Sequence, residues 1–410
     1  LDVLFIHQHF PGQFLRLAQA YVARGFGVYS LGDERWLHES PALPGTTHWT
    51  YPLPEPAGEA THHYVKSFEA AVRRAQQVVR VLLEHKMQEG FEPDVIYVHP
   101  GWGDGLFLRE VFPNARIIAL FEYYYQSRGA DVGFDPEFPM SFNDLFRIRM
   151  LNTVQLHALD ACDVRLAATH WQRSRYPEIY HNHIEVLHEG IDTNLVQPDP
   201  QAAVTLPDGT TLMRGDEVLT YVSRGLEPYR GFHCLMRALP EIQAARPNCR
   251  TVIVGGLDAH YGPRPTNFPN WMAQYLQELE GKLDLSRIHF TGSLSYGEYL
   301  KVLQVSRLHV YLTYPFVLSW SMLEAMAAGC VVLGSDTEPV REFIEHEHNG
   351  LLVPFFDLKA LAQSAVSVLS RPDAYQTLGK RARAGIVEDF DFEKVILPRH
   401  LALLDGLDYY

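Results

Sequence analysis

Residues 217–256 read EVLTYVSRGLEPYRGFHCLMRALPEIQAARPNCRTVIVGG, and their pattern decides the fold. EVLTYVSR (Glu217–Arg224) and RTVIVGG (Arg250–Gly256) are short apolar runs rich in β-branched residues, while GFHCLMRAL (Gly231–Leu239) between them has helical spacing. A strand, a crossover helix and a second strand in so short a span form the unit of a parallel sheet covered by helices. The alternation continues both ways. Upstream, LDVLFIH, FGVYSLG, DVIYVH, ARIIALF, VRLAATH and IEVLHEG are candidate strands; downstream come RIHFTG, RLHVYLT, CVVLGS and GLLVPF. Two such sets, about six strands each, predict two doubly wound α/β domains in tandem.

The breaker-rich stretch TNLVQPDPQAAV, with Pro198 and Pro200, places the joint near Asp192–Thr205 and the domains at 1–192 and 193–390. Asp208-Gly209 just beyond it predicts a small hairpin. Near the end, a helix is expected from Asp391, with Asp391 as its N-cap and Pro398 bending it.

A chain of 410 residues with 47% hydrophobic, 12% aromatic and 20% charged residues suits two globular domains and excludes disordered or collagen-like classes. Lys+Arg 35 against Asp+Glu 49 gives a net charge of −14, which excludes nucleic acid as the main partner and leaves any polyanion site local. Cys162, Cys234, Cys249 and Cys330 show no CxxC spacing, so a reducing, cytoplasmic setting is expected rather than a disulfide framework or zinc knuckle. No apolar run reaches membrane-span length, and Leu1-Asp2-Val3 opens in a strand-like segment without a signal peptide. Val72–Lys86 mixes basic and apolar residues at helical spacing, which reads as a surface helix on a sheet, with peripheral membrane contact as the alternative.

In doubly wound sheets ligands bind beyond the carboxyl ends of strands. The first strand runs into His7-Gln8-His9-Phe10-Pro11-Gly12, where Gly12 lets a phosphate or sugar approach the backbone. GxGxxG and GxxxxGK[ST] are both missing, which removes the main support for NAD chemistry and for P-loop phosphoryl transfer. DVIYVH ends on His99, above a glycine-rich loop, where an imidazole reaches a ligand or serves the structure. Trp102, Tyr123 and Tyr124 are either an acceptor-side stacking platform or packing residues. Arg224 and Arg230 beside a helix start form a concentrated anion site suited to a diphosphate, the alternative being two surface arginines. In Tyr314–Gly329, a strand leads through a serine-containing turn into a short helix whose first amides can face phosphate, and Glu324 in that helix can accept from the vicinal hydroxyls of a ribose. No metal is expected: His181-Asn182-His183, His346-Glu347-His348 and Asp389-Phe390-Asp391 read as loop and cap residues, and HExxH and GxSxG are absent.

The ordered set of a glycine loop after the first strand, His99-Pro100, HEGID, SRGLEPYRG, VGG, FTG, LEAMAAG and NGLLVP resembles glycosyltransferase family 4, the retaining nucleotide-sugar enzymes of the GT-B fold. The resemblance covers nearly the whole chain and is strongest over Val186–Phe356; IHQHFPGQF and TYPFVLSWSMLEAMAAG are similar to a bacterial subgroup. It implies two Rossmann-like domains facing a central cleft, with residues 391–410 crossing back to the first. It also implies metal-independent transfer, without a cofactor, from a nucleoside-diphosphate sugar to a carbohydrate or glycoconjugate acceptor in bacterial polysaccharide synthesis. By the same resemblance Arg224 and Arg230 bind the diphosphate, Arg230 standing where the family has Lys, and Glu324 is the second member of the paired-glutamate motif. The first member falls on Phe316, which accepts no hydrogen bond. Either the donor sugar lacks or reorients a hydroxyl, or Ser319 substitutes, or transfer activity has decayed. Val317, Leu318 and Ser319 would supply backbone amides, His99 would project toward the transferred sugar, Gly12 would match the glycine loop, and the backbone around Leu294 would read the base. A GT-B nucleotide-sugar epimerase and a catalytically silent sugar-nucleotide-binding module are the competing readings.

Overall fold

The structure, a computed structural model describing residues 1–36 and 43–406, contains two parallel sheets and one antiparallel ribbon. The first sheet holds β1 (Asp2–Ile6), β2 (Gly27–Asp33), β3 (Thr47–Tyr51), β4 (Val95–Val98), β5 (Arg116–Leu120), β6 (Val164–Ala167) and β7 (Ile184–Val186) in the order β3-β2-β1-β4-β5-β6-β7. The ribbon pairs β8 (Ala203–Thr205) with β9 (Thr211–Met213). Asp208-Gly209 turns it, with Gly209 at φ +86°. The second sheet holds β10 (Val218–Gly225), β11 (Arg250–Gly256), β12 (Ile288–Gly292), β13 (Leu308–Tyr311), β14 (Val331–Ser335) and β15 (Leu351–Val353) in the order β12-β11-β10-β13-β14-β15.

The chain divides into two compact units, the first comprising Leu1–Val132, Pro139–Gly190 and Phe392–Tyr410, the second Gly133–Phe138 and Ile191–Asp391. In the first unit both faces of the sheet are buried, which is why its central strands are unbroken apolar runs. Leu4 and Ile6 of β1 enter one core with Val78, Leu82 and Phe112, while Val3 and Phe5 enter the other. That is the two-residue period of a strand. Helix α1 (Lys66–Glu89), which contains the basic-apolar stretch, buries Ala71, Ala75, Val78 and Leu82 along one stripe and ends at Gly90 in left-handed geometry. Among the described residues, no helix is long and apolar enough to cross a membrane.

Late residues complete the second of these cores: Phe392, Ile396, Leu397 and Leu404 pack with Val3, Phe5 and Tyr97. Asp391 stands immediately before the first turn of this segment, where it pairs with Ile191 in a β-bridge and accepts from the Thr193 hydroxyl. A π-helical turn, Phe392–Ile396, precedes a short α-helix, Leu397–Ala402, and Pro398 sits in the first turn of that helix, where a missing N–H costs nothing. Residues 407–410 of the expected helix lie outside the described residues.

In the second unit, helix α2 (Phe232–Ala245) starts at Gly231, φ +67°, where an added Cβ would lie 2.3 Å from Leu312 Cβ. Residues 133–138 belong to this unit, unlike in a simple 193–390 division. Tyr314 Oη and His233 Nε2 both reach Asp135 Oδ2, at 2.6 and 3.0 Å, and Phe134 packs on Tyr314, Phe355 and Phe356. All four cysteines are buried and free.

Candidate functional site

All strands of each sheet run parallel, so the loops after them emerge along one edge. Strand order reverses direction between β1 and β4 in the first sheet and between β10 and β13 in the second. Such switch points open a crevice between diverging loops, and the polar side chains of each unit gather there.

In the first unit the loop after β1 meets those after β4 and β5. His9 N–H donates to His7 Nδ1 (3.0 Å), which puts the His7 hydrogen on Nε2, and that N–H donates to Gln13 Oε1 (3.0 Å). The Gln13 amide in turn donates to Glu122 Oε1 (3.2 Å). Gly101 N–H occupies His99 Nδ1 (3.3 Å), so His99 Nε2–H donates to Glu122 Oε2 (3.1 Å). Both imidazoles are therefore neutral donors in a relay that ends on one carboxylate. Burial, helped by the neighbouring His99 and His9 rings, pushes His7 well below the ordinary imidazole range. The Gln172 amide fixes the Glu122 carbonyl at 2.6 Å.

Trp102 stacks on His99 with ring centroids 4.1 Å apart and meets His7 edge-on at 5.1 Å. Tyr123 is buried, its hydroxyl donating to Asp131 (2.6 Å) and its ring lying against Tyr125 and Trp171; Tyr124 packs on Tyr176. The two tyrosine rings are engaged in internal packing. Gly12 has φ +46°, and a Cβ there would lie 2.5 Å from His7 Cε1. The glycine thus makes room for the His7 ring. Gly12→Ala is expected to lose about 2 kcal/mol of stability through strain and overpacking. A denaturant midpoint equal to wild type would show that the ring yields instead.

In the second unit the loop after β10 meets that after β13. Arg230 donates from Nη1 to Thr313 Oγ1 (3.0 Å) and to the Val317 carbonyl (2.8 Å), and its guanidinium carbon lies 5.4 Å from the Tyr261 ring centroid and 5.6 Å from that of Phe316. It is only 7% exposed, and Phe316 5%. The phenyl at the family's first glutamate position thus caps a cation, which accounts for an apolar side chain there. Arg224, at the end of β10, is exposed.

Glu227, between the two arginines, is fully buried; its Oε2 accepts from the His260 and Tyr261 amides at 2.6 and 2.9 Å, while its Oε1 has no hydrogen-bond partner among the described residues. Burial raises this carboxyl to about 7, against the pull of those two amides and of the Arg230 and Arg224 charges.

Helix α3 (Trp320–Ala327) carries Glu324, whose oxygens accept from Tyr296 Oη (2.6 Å) and Tyr299 Oη (2.7 Å). The carboxylate is thereby held in one orientation. Ser319, at the N-cap of α3, donates its amide to the Tyr311 hydroxyl (2.8 Å) and shares a 2.6 Å contact with Ser321 Oγ. Val317 is buried, Leu318 half-buried, and Leu294, following β12, packs on the core around Val252 and Val302.

In each of the two HxH patterns one histidine is engaged internally. His181 Nε2 meets the Tyr176 carbonyl (2.8 Å), and His346 Nδ1 accepts from Leu352 N–H (2.9 Å). Asp135, Glu137 and His233 place their ligand atoms within 4.8 Å of one another, but Asp135 is taken by His233 and Tyr314, and Glu137 pairs with Arg237. A cation there would face that guanidinium.

Sequence reasoning missed Gln13, Glu122, Glu227, Tyr261 and Thr313. Glu122 and Thr313 do follow strand ends, the single signal available for them.

A family model described as glycosyl transferase family 4 group matches residues 28–196, and one described as glycosyl transferases group 1 matches residues 208–385. Spore coat protein SA of Bacillus subtilis is 25% identical over 235 residues, 54% of this chain and 58% of that protein. Over three curated relatives it matches, the chain spans from 20% to 58% of their length. Among solved structures, sucrose-phosphate synthase from Thermosynechococcus elongatus superposes with a TM-score of 0.70 at 19% identity, covering 98% of each chain. HepE of Anabaena, solved with UDP and glucose, gives 0.66 at 18% identity over 99% of this chain and 100% of that one. At these identities the likeness establishes the GT-B fold.

Proposed function

The chain belongs to glycosyltransferase family 4, group 1, and from that premise we propose that it moves a glycosyl group from a nucleoside-diphosphate sugar to a hydroxyl of a carbohydrate or glycoconjugate, with retention of configuration and without a metal. The observation that carries the reading is the meeting of Arg230 with the β13 loop at the switch point of the second sheet, where the end of β10 also carries the exposed Arg224. Two guanidinium groups neutralise the charge that builds on a departing diphosphate, which is the electrostatic task of this reaction. Glu324, oriented by two phenols, suits the vicinal hydroxyls of the donor's ribose. The leaving phosphate oxygen takes the acceptor's proton in such a front-face transfer, so no separate base is assigned. Polysaccharide or glycoconjugate synthesis in a bacterial cytoplasm is the setting this reading implies.

A second reading, a silent sugar-nucleotide-binding module, draws on Phe316, which covers Arg230 where the family has a sugar-contacting carboxylate. Incubation with UDP-, GDP-, ADP- and dTDP-sugars, with and without glycan acceptors, separates the readings. Diphosphate release is expected from one of them. Binding without release supports the silent module, conversion to a new sugar nucleotide without acceptor indicates an epimerase, and neither binding nor release rejects the transferase.

Phe316→Glu tests the donor-sugar contact. A carboxylate beside Arg230 would compete with phosphate and add an acceptor for a sugar hydroxyl, so the ratio of rates between two donors is expected to move by about tenfold or more. An unchanged donor ranking would reduce Phe316 to a packing residue.

A further inference from the structure

Loop 257–264, which follows β11, folds back over the end of β10, and glycine makes that approach possible. Gly225 and Gly256 are partners in the register of the two strands. A Cβ on Gly225 would lie 2.3 Å from the Asp258 carbonyl oxygen and 2.8 Å from His260 Cδ2. The His260 ring therefore rests on the backbone at the carboxyl edge of the second sheet, where ligands of doubly wound folds bind.

A buried acid holds the loop in this place. Glu227 Oε2 accepts from the His260 amide (2.6 Å) and the Tyr261 amide (2.9 Å), and the whole residue is buried. Burying a carboxyl is costly, and here it fixes the backbone of two consecutive residues. Their side chains then reach the two arginines separately. The Tyr261 ring lies 5.4 Å from the Arg230 guanidinium carbon, while the His260 ring packs on Gly225, the residue after Arg224, and feels the Arg224 charge.

Among the described residues, the side chains of His260, Arg224 and Arg264 are exposed and make no hydrogen bond or ion pair. The charged groups that act on the ring are Arg224 from the end of β10 and Arg264 and Asp258 from its own loop; Glu227 meets its backbone amide. Partial burial, then the Arg224 charge, and Arg264 after the opposing pull of Asp258, hold the imidazole below its ordinary range. The free protein thus keeps this ring neutral and unpaired next to a cation.

We propose that His260 completes the anion site of the second unit, donating from its ring to an oxygen of the diphosphate that Arg224 and Arg230 hold. The inference rests on the transfer reading and adds a third contact to it. An arriving phosphate offsets the neighbouring cations, so the ring takes a proton from solvent and its N–H donates a charge-assisted bond. Binding strengthens as pH falls through the titration of the ring.

The full chain carries the test. Calorimetry with inorganic pyrophosphate, and with UDP, GDP, ADP and dTDP, compares wild type with His260→Ala and His260→Gln at pH 6.5 and pH 8.5. Comparison at equal pH cancels the titration of the phosphates themselves. Both variants keep the backbone amide that Glu227 accepts from. His260→Ala is expected to bind about 10-fold more weakly at pH 6.5 and within about threefold of wild type at pH 8.5, where the ring is neutral. His260→Gln, a neutral donor, falls between them at pH 6.5. Carbon NMR of ε1-labelled histidine identifies the His260 resonance by its loss in His260→Ala. Its titration midpoint is expected to rise by about one pH unit or more when the tightest-binding of these probes is added.

Equal affinities for wild type and His260→Ala at pH 6.5, or a His260 midpoint unmoved by the probe, would overturn the assignment. A loss of the same size at both pH values would do so too, since it marks a packing role for the ring. A wild-type protein that binds none of these probes would overturn the transfer reading and this inference together. Binding that is lost in Arg230→Ala and kept in His260→Ala overturns this inference alone.

Discussion

Arg230→Ala is expected to cut diphosphate release about 100-fold or more, since a charge-assisted contact to phosphate is worth about 1.5 to 3 kcal/mol and more is lost here than that contact. In the unliganded protein the guanidinium holds the Val317 carbonyl and Thr313 hydroxyl, so alanine also leaves a buried carbonyl without its donor and releases the loop that leads into α3. The loss is expected in kcat/KM for the donor. Arg230→Lys separates the two contributions. It keeps a charge for phosphate but lacks the flat fork that lies against Tyr261 and Phe316, so activity between wild type and alanine is expected. Alanine turnover equal to wild type would place the diphosphate elsewhere.

The second large effect is on stability. Glu227 holds its proton to about pH 7 when folded, against an ordinary value of 4.5. Between those values the folded chain binds more protons than the unfolded one, so stability falls as pH rises. The contribution is fully present below the unfolded pKa and is lost as pH passes through the folded one. It amounts to about 3 kcal/mol for a displacement of this size. The groups that act on Glu227 are the amides of Tyr261 and His260 and the charges of Arg230 and Arg224, with Tyr221 near by. Glu227→Gln keeps an oxygen for both amides and removes the titration. Amide exchange in β10 and β11, followed from pH 5 to pH 8, is expected to show the variant gaining on wild type by about that amount. Parallel curves for the two proteins would mean that Glu227 titrates like an ordinary carboxylate.

Both predictions concern residues inside SRGLEPYRG, and they mark the limit of what the sequence carries. The strands of both sheets are legible because each central strand is buried on two faces and so must be apolar throughout. β3 escaped because Thr47–Tyr51 is an edge strand with four of its five residues partly or fully exposed, and THWTY has no apolar alternation to notice. Arg230 stood out as a cation near a helix start. That its fork bonds the Val317 carbonyl, 87 residues further along, is a fact of strand order, which no local pattern encodes. Glu122 and Glu227 are single carboxylates, and only their neighbours in space distinguish them from surface acids. The insertion of residues 133–138 into the second unit likewise rests on Asp135 meeting Tyr314 and His233, contacts that no short window contains.

The packing of Phe392, Ile396, Leu397 and Leu404 against Val3 and Phe5 has a consequence for biosynthesis. A ribosome delivers the first strand at once but these four residues only after the whole second unit has been made. The nascent first unit therefore waits with part of one face of its sheet uncovered, while residues 191–391 can mature into their own core first. Order of translation and order of completion run opposite for the two halves, so chaperone demand falls on the half that is made earliest.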